Sequence, residues 1–294
     1  MKKIILLAGP TASGKSELAL GWAKEYGGEI VNSDSMQVYG ELADLTARPA
    51  AEELARCPHH LYGTLKGDDP CSAERWRDMA IEVIEEIWSR GAVPIVVGGT
   101  GLYFKSLTTG LSAVPDIDEA IRYNIRRSVT TETAARAHKR LAELDPHMAQ
   151  ALDIHDTQRI SRALEVRLST GKSLQYWQDI PPSGGLNGRK DVDIVKNITV
   201  MDRAKLYERC DRRFRHMIEE GKALDEVEKL MLLHYSPAMP VMKALGVPQI
   251  INYLQGKSTK EEAISLSQTA TRQFAKRQMT WFRNQCGDWN QQIL

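Results

Sequence analysis

Gly9-Pro10-Thr11-Ala12-Ser13-Gly14-Lys15-Ser16 satisfies every fixed position of G-x-x-x-x-G-K-[ST]. The spacing has a mechanical basis. Successive backbone N–H groups of such a loop turn inward onto a phosphate, and the helix behind it adds its positive N-terminal end. Lys15 is expected to reach the terminal phosphate and Ser16 to hold Mg²⁺. A second chemical position follows in Asp34-Ser35-Met36-Gln37-Val38-Tyr39. Asp34 can accept a proton from an attacking nucleophile, or it can simply cap a helix. A third is Gly98-Gly99-Thr100-Gly101-Leu102-Tyr103, where Thr100 offers a hydroxyl and the glycines permit a tight turn. The apolar run before it ends without the carboxylate that P-loop NTPases use to hold Mg²⁺, which argues against a GTPase switch or motor ATPase.

Three short apolar runs must carry these positions. Ile4 to Ala8, Glu29 to Ser33 and Val93 to Val97 each predict a buried strand of a parallel sheet, whose carboxyl ends face the ligand crevice. Between the first two, Leu18, Trp22, Ala23 and Tyr26 predict a helix stopped by Gly27-Gly28. Ser72 to Arg90 predicts a second helix, with Trp76, Met79, Ala80, Val83, Ile84, Ile87 and Trp88 on its apolar stripe. Residues 116–180 carry helical signals throughout, Pro181-Pro182-Ser183-Gly184-Gly185 closes them, and Val192 to Val200 restores a strand. The chain therefore predicts an α/β P-loop NTPase-like parallel sheet core flanked by helices, with an inserted all-helical lobe. The parts are 1–114 (first core part), 115–190 (lobe) and 191–294 (second core part). The last carries a helix from about Lys260 to Arg283 that buries Ala263, Leu266, Ala270 and Phe274 and exposes Arg272, Lys276 and Arg277.

Composition sets the remaining limits. The 294 residues are 42% hydrophobic and 26% charged, which excludes disordered and collagenous chains. Lys and Arg number 39 against 38 Asp and Glu, so only local clusters could hold a polyanion. One such cluster spans residues 120–172, with ten basic and six acidic side chains. In it Arg122, Arg126 and Arg127, and again Arg159, Arg162 and Arg167, recur at helical spacing, either as a solvated face or as phosphate contacts. The scattered Cys57, Cys71, Cys210 and Cys286 fit a reducing cytoplasm, and Cys57, His59 and His60 are expected to be structural. No apolar run approaches the ~20 residues of a membrane span.

These motifs together resemble the tRNA dimethylallyltransferases (tRNA isopentenyltransferases). The later blocks of that family are matched in order by Thr157-Gln158-Arg159-Ile160-Ser161-Arg162-Ala163-Leu164-Glu165-Val166, by Arg203-x-x-Leu206-Tyr207-x-Arg209-x-x-x-Arg213, by Lys243 to Gln249 and by Ala275-Lys276-Arg277-Gln278-x-x-Trp281-Phe282. The resemblance implies transfer of a dimethylallyl group from dimethylallyl diphosphate to N6 of the adenosine 3′ of the anticodon, assisted by Mg²⁺. It places the diphosphate on Gly9–Ser16, and the tRNA anticodon stem-loop on Asp34, Ser35, Met36, Gln37, Thr100 and Arg122 and on Gln158, Arg159, Ile160, Ser161 and Arg162. In this reading Gln37 and Gln158 meet base edges and the flipped nucleotide is held by Thr100 and Arg122. Asp34 takes the amine proton, while Lys15 and Arg203 neutralise the leaving diphosphate. A cytoplasmic monomer without membrane contact is expected. The chain departs from the family where Gly40-Glu41 replaces an Arg-Gly pair and where Leu45-Thr46-Ala47-Arg48-Pro49 replaces Gly-Thr-Ala-Lys-Pro. The competing readings are a P-loop kinase of a small metabolite, with Asp34 binding the acceptor hydroxyl, and a nucleotide-gated RNA-binding switch.

Overall fold

The apolar run behind Lys2 and Lys3 forms β1 (Lys2–Ala8), with Ile4, Leu6, Leu7 and Ala8 fully buried in a computed structural model that describes residues 1–294. The elements that follow are α1 (Lys15–Tyr26), β2 (Gly28–Asn32), α2 (Ala51–Leu54), β3 (His59–His60), α3 (Ala73–Ser89), β4 (Val93–Gly98) and α4 (Gly101–Thr108). A separate helical stretch is bracketed by β5 (Gly110–Leu111) and β6 (Ser183–Gly184) and contains α5 (Glu119–Thr131), α6 (Ala134–Leu144), α7 (Pro146–Ala151), α8 (Thr157–Thr170) and α9 (Leu174–Gln178). Then come β7 (Val192–Val200), α10 (Arg203–Glu219), α11 (Ala223–Leu232), α12 (Val247–Leu254), α13 (Lys260–Gln285) and β8 (Asn290–Ile293). No helix is long and apolar enough to cross a membrane.

The six core strands lie in the order β3-β2-β4-β1-β7-β8, and every pair is parallel. Their register brings the carboxyl ends level: Ala8 stands opposite Gly98 and Ile198, and Asn32 opposite Val97. The α3 helix forms where expected. Ser72 caps it through the Arg75 N–H, and Trp76, Ala80, Ile84 and Ile87 form its buried stripe. Trp76 stacks on Tyr103 (4.3 Å between ring centres, 8° between planes), and its indole N–H donates to the Asn32 carbonyl at 2.9 Å.

Two helix faces differ from expectation. On α1 the buried residues are Ala19, Leu20 and Ala23, packed on Ile5, Leu7, Ile95 and Val97, while Tyr26 stays exposed beneath the Lys3 ammonium. Ala19 and Ala23 let this helix approach the sheet closely, and Leu18 and Trp22 pack partly buried at its edges. On α13 the buried stripe is Ala263, Ile264, Ser267, Thr271, Ala275, Gln278 and Phe282, and Leu266 is 58% exposed. The apolar residues alone misplace this face, because half of the stripe is polar or small. Arg272, expected on the free surface, grips Asp211 of α10 with both contacts at 2.7 Å.

The chain divides into two compact units, residues 1–108 with 186–294, and residues 109–185. The expected lobe boundaries at 115 and 190 therefore move toward the N-terminus. Gly110 and Leu111 pair antiparallel with Gly184 and Ser183, which closes the helical unit at 109–185, and Leu186 is already buried in the core of the other unit. Gly110 has φ +90°, and a Cβ there would stand 1.9 Å from the Ser183 carbonyl. Inside the helical unit, Asp118, Thr133, Asp145, Asp156 and Ser173 each cap a helix, and Ile125, Ala137, Leu141, Ile160, Ala163 and Leu164 form its core. The nearly buried Glu165 carboxylate draws in Arg126 at 2.8 Å and Arg162 at 3.6 Å.

At the other end of the core sheet, buried Glu29 accepts two 2.7 Å hydrogen bonds from Arg90 and one from His60. Cys57 offers its carbonyl to His59 at 2.8 Å. The Arg90 guanidinium, ahead of His60, holds the Glu29 carboxyl at about 2, below its ordinary 4.5. A lowered carboxylate contributes stability above pH 4.5 and loses it as pH falls toward 2. Arg90→Ala is expected to cost about 1–3 kcal/mol and to flatten the acid limb of a pH–stability curve, measured by urea unfolding between pH 3 and 7.

Candidate active site

The 9–16 loop links β1 to α1 with Ala12 at φ 62° and Gly14 at φ +90°. Gly9 is required by close approach, since a Cβ would lie 1.9 Å from Thr199 Oγ1 on β7. Ser13 is fully buried and shares a 2.7 Å hydrogen bond with that same hydroxyl, so its side chain holds the loop to the sheet. Gln278 of α13 completes the frame. Its Oε1 accepts the Thr11 N–H at 2.9 Å and its Nε2 donates to the Gly99 carbonyl at 2.8 Å. Pro10 offers its carbonyl to Lys15 Nζ at 2.6 Å. Ser16 is exposed, with no protein partner for its hydroxyl.

Asp34 leaves β2 through a turn tied on both sides. Asn32 Oδ1 accepts the Asp34 N–H at 2.8 Å, and Asn32 Nδ2 donates to the carbonyls of Asp34 and Leu61, each at 3.0 Å. Asp34 Oδ1 accepts the Met36 N–H at 2.9 Å, which leaves Oδ2 free. Thr100 does not line the crevice. Its Oγ1 accepts the Ser35 N–H at 2.9 Å and faces Ser35 Oγ at 3.3 Å, and its N–H donates to the Ser33 carbonyl. Its hydroxyl is thus occupied in shaping the Asp34 turn. Met36 packs on the core. The GGTG segment needs its glycines, because Cβ atoms at 98, 99 and 101 would meet the Ser33 carbonyl at 2.1 Å, Gln278 at 2.3 Å and the Trp281 ring at 2.3 Å.

Loop and turn face one cleft of about 710 Å³, lined by Thr11–Ser16, Asp34, Gln37, Thr46, Ala47, Tyr62, Val97–Gly99 and one face of α10. That face carries Arg209, Arg212, Arg213, Arg215 and His216, with Glu219 and Glu220 at its far end, and Arg209 and Arg213 are the arginines that reach the loop. Arg203 does not line the cleft. It stands exposed at the start of α10, and Arg209 and Arg213 lie about 240° and 280° round the helix from it. Arg213 donates to Thr11 Oγ1, and Arg209 reaches within 3.5 Å of where a Gly14 Cβ would be. Both sit in the block quoted from the sequence, yet only the packing of α10 says which of its arginines faces the cleft. Desolvation within the loop pushes the Lys15 ammonium down to about 7. Asp34 pulls it up, and Arg213 pushes it further down. Desolvation likewise lowers the Arg213 pKa.

Gln37 spends both amide hydrogens on the carbonyls of Thr46 and Ala47, at 2.8 and 2.9 Å, and only its oxygen is left for a ligand. The departures at 40–49 are absorbed locally. Glu41 accepts from the Gly67 N–H at 2.7 Å and from the Tyr235 hydroxyl at 3.0 Å, and Arg48 donates to the Tyr39 carbonyl at 3.0 Å. In the helical unit, Gln158 and Arg159 are exposed in the first turn of α8, but Ile160 is fully buried and Ser161 nearly so. The Ile160 side chain therefore belongs to the core rather than to a nucleic-acid surface. Arg122 and Arg162 are half-buried near one another, and Arg122 Nε has no partner.

The profile of the IPP transferase family matches residues 37–285. A tRNA dimethylallyltransferase of Parvibaculum lavamentivorans is 48% identical over 98% of this chain and 90% of its own length. One from Methylobacterium nodulans is 48% identical over 98% and 94%. Among solved structures, the full-length tRNA isopentenylpyrophosphate transferase of Bacillus halodurans is similar with a TM-score of 0.70, 33% identity and coverage of 100% of this chain and 90% of that one. A eukaryotic dimethylallyltransferase acting on tRNA is similar with a TM-score of 0.81 at 27% identity, covering 100% of this chain and 74% of that one.

Two outcomes are expected from this geometry. Anion binding to the cleft stabilises protonated Lys15, so the affinity for sulfate, which stays dianionic across the range, should be level just below pH 7 and fall up to tenfold per unit above it when measured by calorimetry. Gln278→Leu leaves the Thr11 N–H and the Gly99 carbonyl unpaired. It should cost about 1–3 kcal/mol in stability and weaken diphosphate binding.

Proposed function

The chain belongs to the IPP transferase family, and from that premise we propose that it moves the dimethylallyl group of dimethylallyl diphosphate to N6 of the adenosine 3′ of the anticodon. The observation that carries this reading is the single cleft in which the free Oδ2 of Asp34 faces the same space as the N–H-rich loop, Lys15 and Arg213. A kinase is not favoured, since the relatives are tRNA dimethylallyltransferases.

The diphosphate lies in the 9–16 loop against its N–H groups, with Lys15, Arg213 and Arg209 around it. In the transfer the C1–O bond of the donor breaks and its electron pair leaves with the diphosphate. The N6 lone pair forms the new N6–C1 bond, and the N6 proton passes to Asp34. The amine is a poor nucleophile because its lone pair is delocalised into the ring, so removing its proton as the bond forms is worth ~10²–10⁴-fold. Charge growing on the leaving oxygen is met by cations that are already in place and partly stripped of water. Arg203, exposed and outside the cleft, takes no part in this step.

Magnesium fits the donors present. Ser16 Oγ is a hard oxygen without a protein partner, in a residue on the cleft, and would hold the ion together with diphosphate oxygens and water. When bound, the ion would add positive charge at the leaving diphosphate. On the RNA side, Gln37 offers its free carbonyl oxygen to a base edge, and Gln158, Arg159, Arg122 and Arg162 supply contacts from the helical unit. The enzyme acts as a cytoplasmic monomer in this reading.

An anticodon stem-loop RNA with adenosine 3′ of the anticodon, incubated with the protein, Mg²⁺ and dimethylallyl diphosphate, should gain the mass of one C5 unit. ATP in place of the donor should give no adduct. RNA that remains bound but unmodified with the donor would overturn the reading. Asp34→Asn should lower kcat by about 10²–10⁴-fold with RNA affinity within a few-fold of the parent. Equal losses in both would make Asp34 a positioning residue.

A further inference from the structure

The cleft changes character along its length. Lys15, Arg209 and Arg213 supply cations, whereas Ala47, Tyr62 and Val97 supply carbon surface close to Asp34. A diphosphate ester needs both, one for each end. Beyond the apolar part lies a second void of only about 10 Å³, walled by Ala19, Leu20, Ile30 and Pro49, with Glu53 and His59 at its side. Ser16, Tyr62 and Val97 line both spaces, so they form the partition between them. Tyr62 is the bulk of that partition. Its ring meets His59 edge-on at 5.7 Å, and its hydroxyl makes no hydrogen bond to the protein.

The backbone fixes this ring. Leu61 before it adopts φ 62°, a left-handed conformation that side chains rarely take, and its carbonyl is held by Asn32 Nδ2. Gly63 after it donates to the Gln37 carbonyl at 2.8 Å, and a Cβ at Gly63 would collide with Arg48. With both neighbours tied, the backbone that carries the ring cannot shift aside for a longer ligand, and the ring itself rests against His59.

Resting on the prenyl-transfer reading above, we propose that Tyr62 sets the donor length: its ring closes the apolar end of the cleft so that a five-carbon allylic chain fits and a ten-carbon chain collides. The bonds made and broken at C1 and N6 are the same for either donor, so the choice between them is decided by space at the tail. Removing the ring joins the cleft to the void behind it and extends the apolar wall onto Ala19, Leu20 and Ile30. One methylene in an apolar pocket already changes discrimination by ~10–200-fold, so an opening of this size should be plainly readable.

The test is a one-tube competition between dimethylallyl and geranyl diphosphates on the anticodon stem-loop, with C5 and C10 adducts counted by mass spectrometry. The wild type should give C5 product almost alone. Tyr62→Ala should raise the C10:C5 ratio at least tenfold, and Tyr62→Leu, a milder loss that keeps the wall apolar, should move it the same way. Tyr62→Trp should lower C5 transfer without admitting C10. A ratio within twofold of the wild type in both smaller variants would overturn the proposal. Calorimetry with unreactive thiolodiphosphates of both lengths separates the two levels of inference. A wild type that makes no adduct, yet binds the shorter analogue in preference while Tyr62→Leu loses that preference, would sink the tRNA reaction and keep the gate. Equal affinities for both analogues in the wild type would sink the gate alone.

Discussion

One side-chain amide frames the site. Gln278 reaches from the C-terminal third of a 26-residue helix to the Thr11 N–H on one side and the Gly99 carbonyl on the other, and it does so while nearly buried. Two loops that leave neighbouring parallel strands are thereby held at a fixed separation. The strand ends themselves are crowded to the limit of the backbone, because Gly9, Gly98 and Gly99 each stand where a single added carbon would collide. The Asp34 turn is fitted to the same crowd through Asn32, which also carries Trp76 on its carbonyl. The reacting groups are thus placed by packing that tolerates no extra atom.

The electrostatics follow from that confinement. Lys15 and Arg213 lose water on entering the loop region, and the carboxylate beside Lys15 that pulls the other way is that of Asp34. Without a ligand, the site holds cations in surroundings that disfavour them. A bound diphosphate relieves this, which couples its affinity to the charge state of Lys15. In the proposed transfer the same cations would face the charge that grows on the departing oxygen, so little reorganisation would be needed when the bond breaks.

Much of this could be read from the order of residues. The 9–16 loop, the three strands that end around the cleft, the α3 stripe and the helical insertion follow from periodicity and from the residues that punctuate it. What the sequence hid has a common physical form. Arg203 and Arg213 are equivalent in type, and only the rotation of α10 against α13 decides which enters the cleft. The α13 stripe could not be found by hydrophobicity, because Ser267, Thr271 and Gln278 occupy it. The lobe boundary shifted because two pairs of residues at its base form a ladder too short to leave a strand signal. Gly40-Glu41 departs from the family's Arg-Gly pair, and only the structure shows that Glu41 bonds to Gly67 and Tyr235 and belongs to the architecture of its own loop.

That short ladder has a thermodynamic consequence. β1 and β7 are adjacent in the sheet although Lys2 pairs with Val192, so the core must close a loop that contains the entire helical unit. Because Gly110 and Leu111 are pinned to Gly184 and Ser183, the chain enters and leaves that unit at one point. From the sheet's side, the intervening residues act as a short bridge whatever their number. Chain-closure entropy grows only logarithmically, at about 0.6 kcal/mol for each doubling of length, so lengthening or trimming the helices between those pairs would scarcely be felt by the β1–β7 ladder. The tight catalytic framework and the helical insertion are consequently free to vary on separate terms, the first held atom by atom and the second limited mainly by its own core.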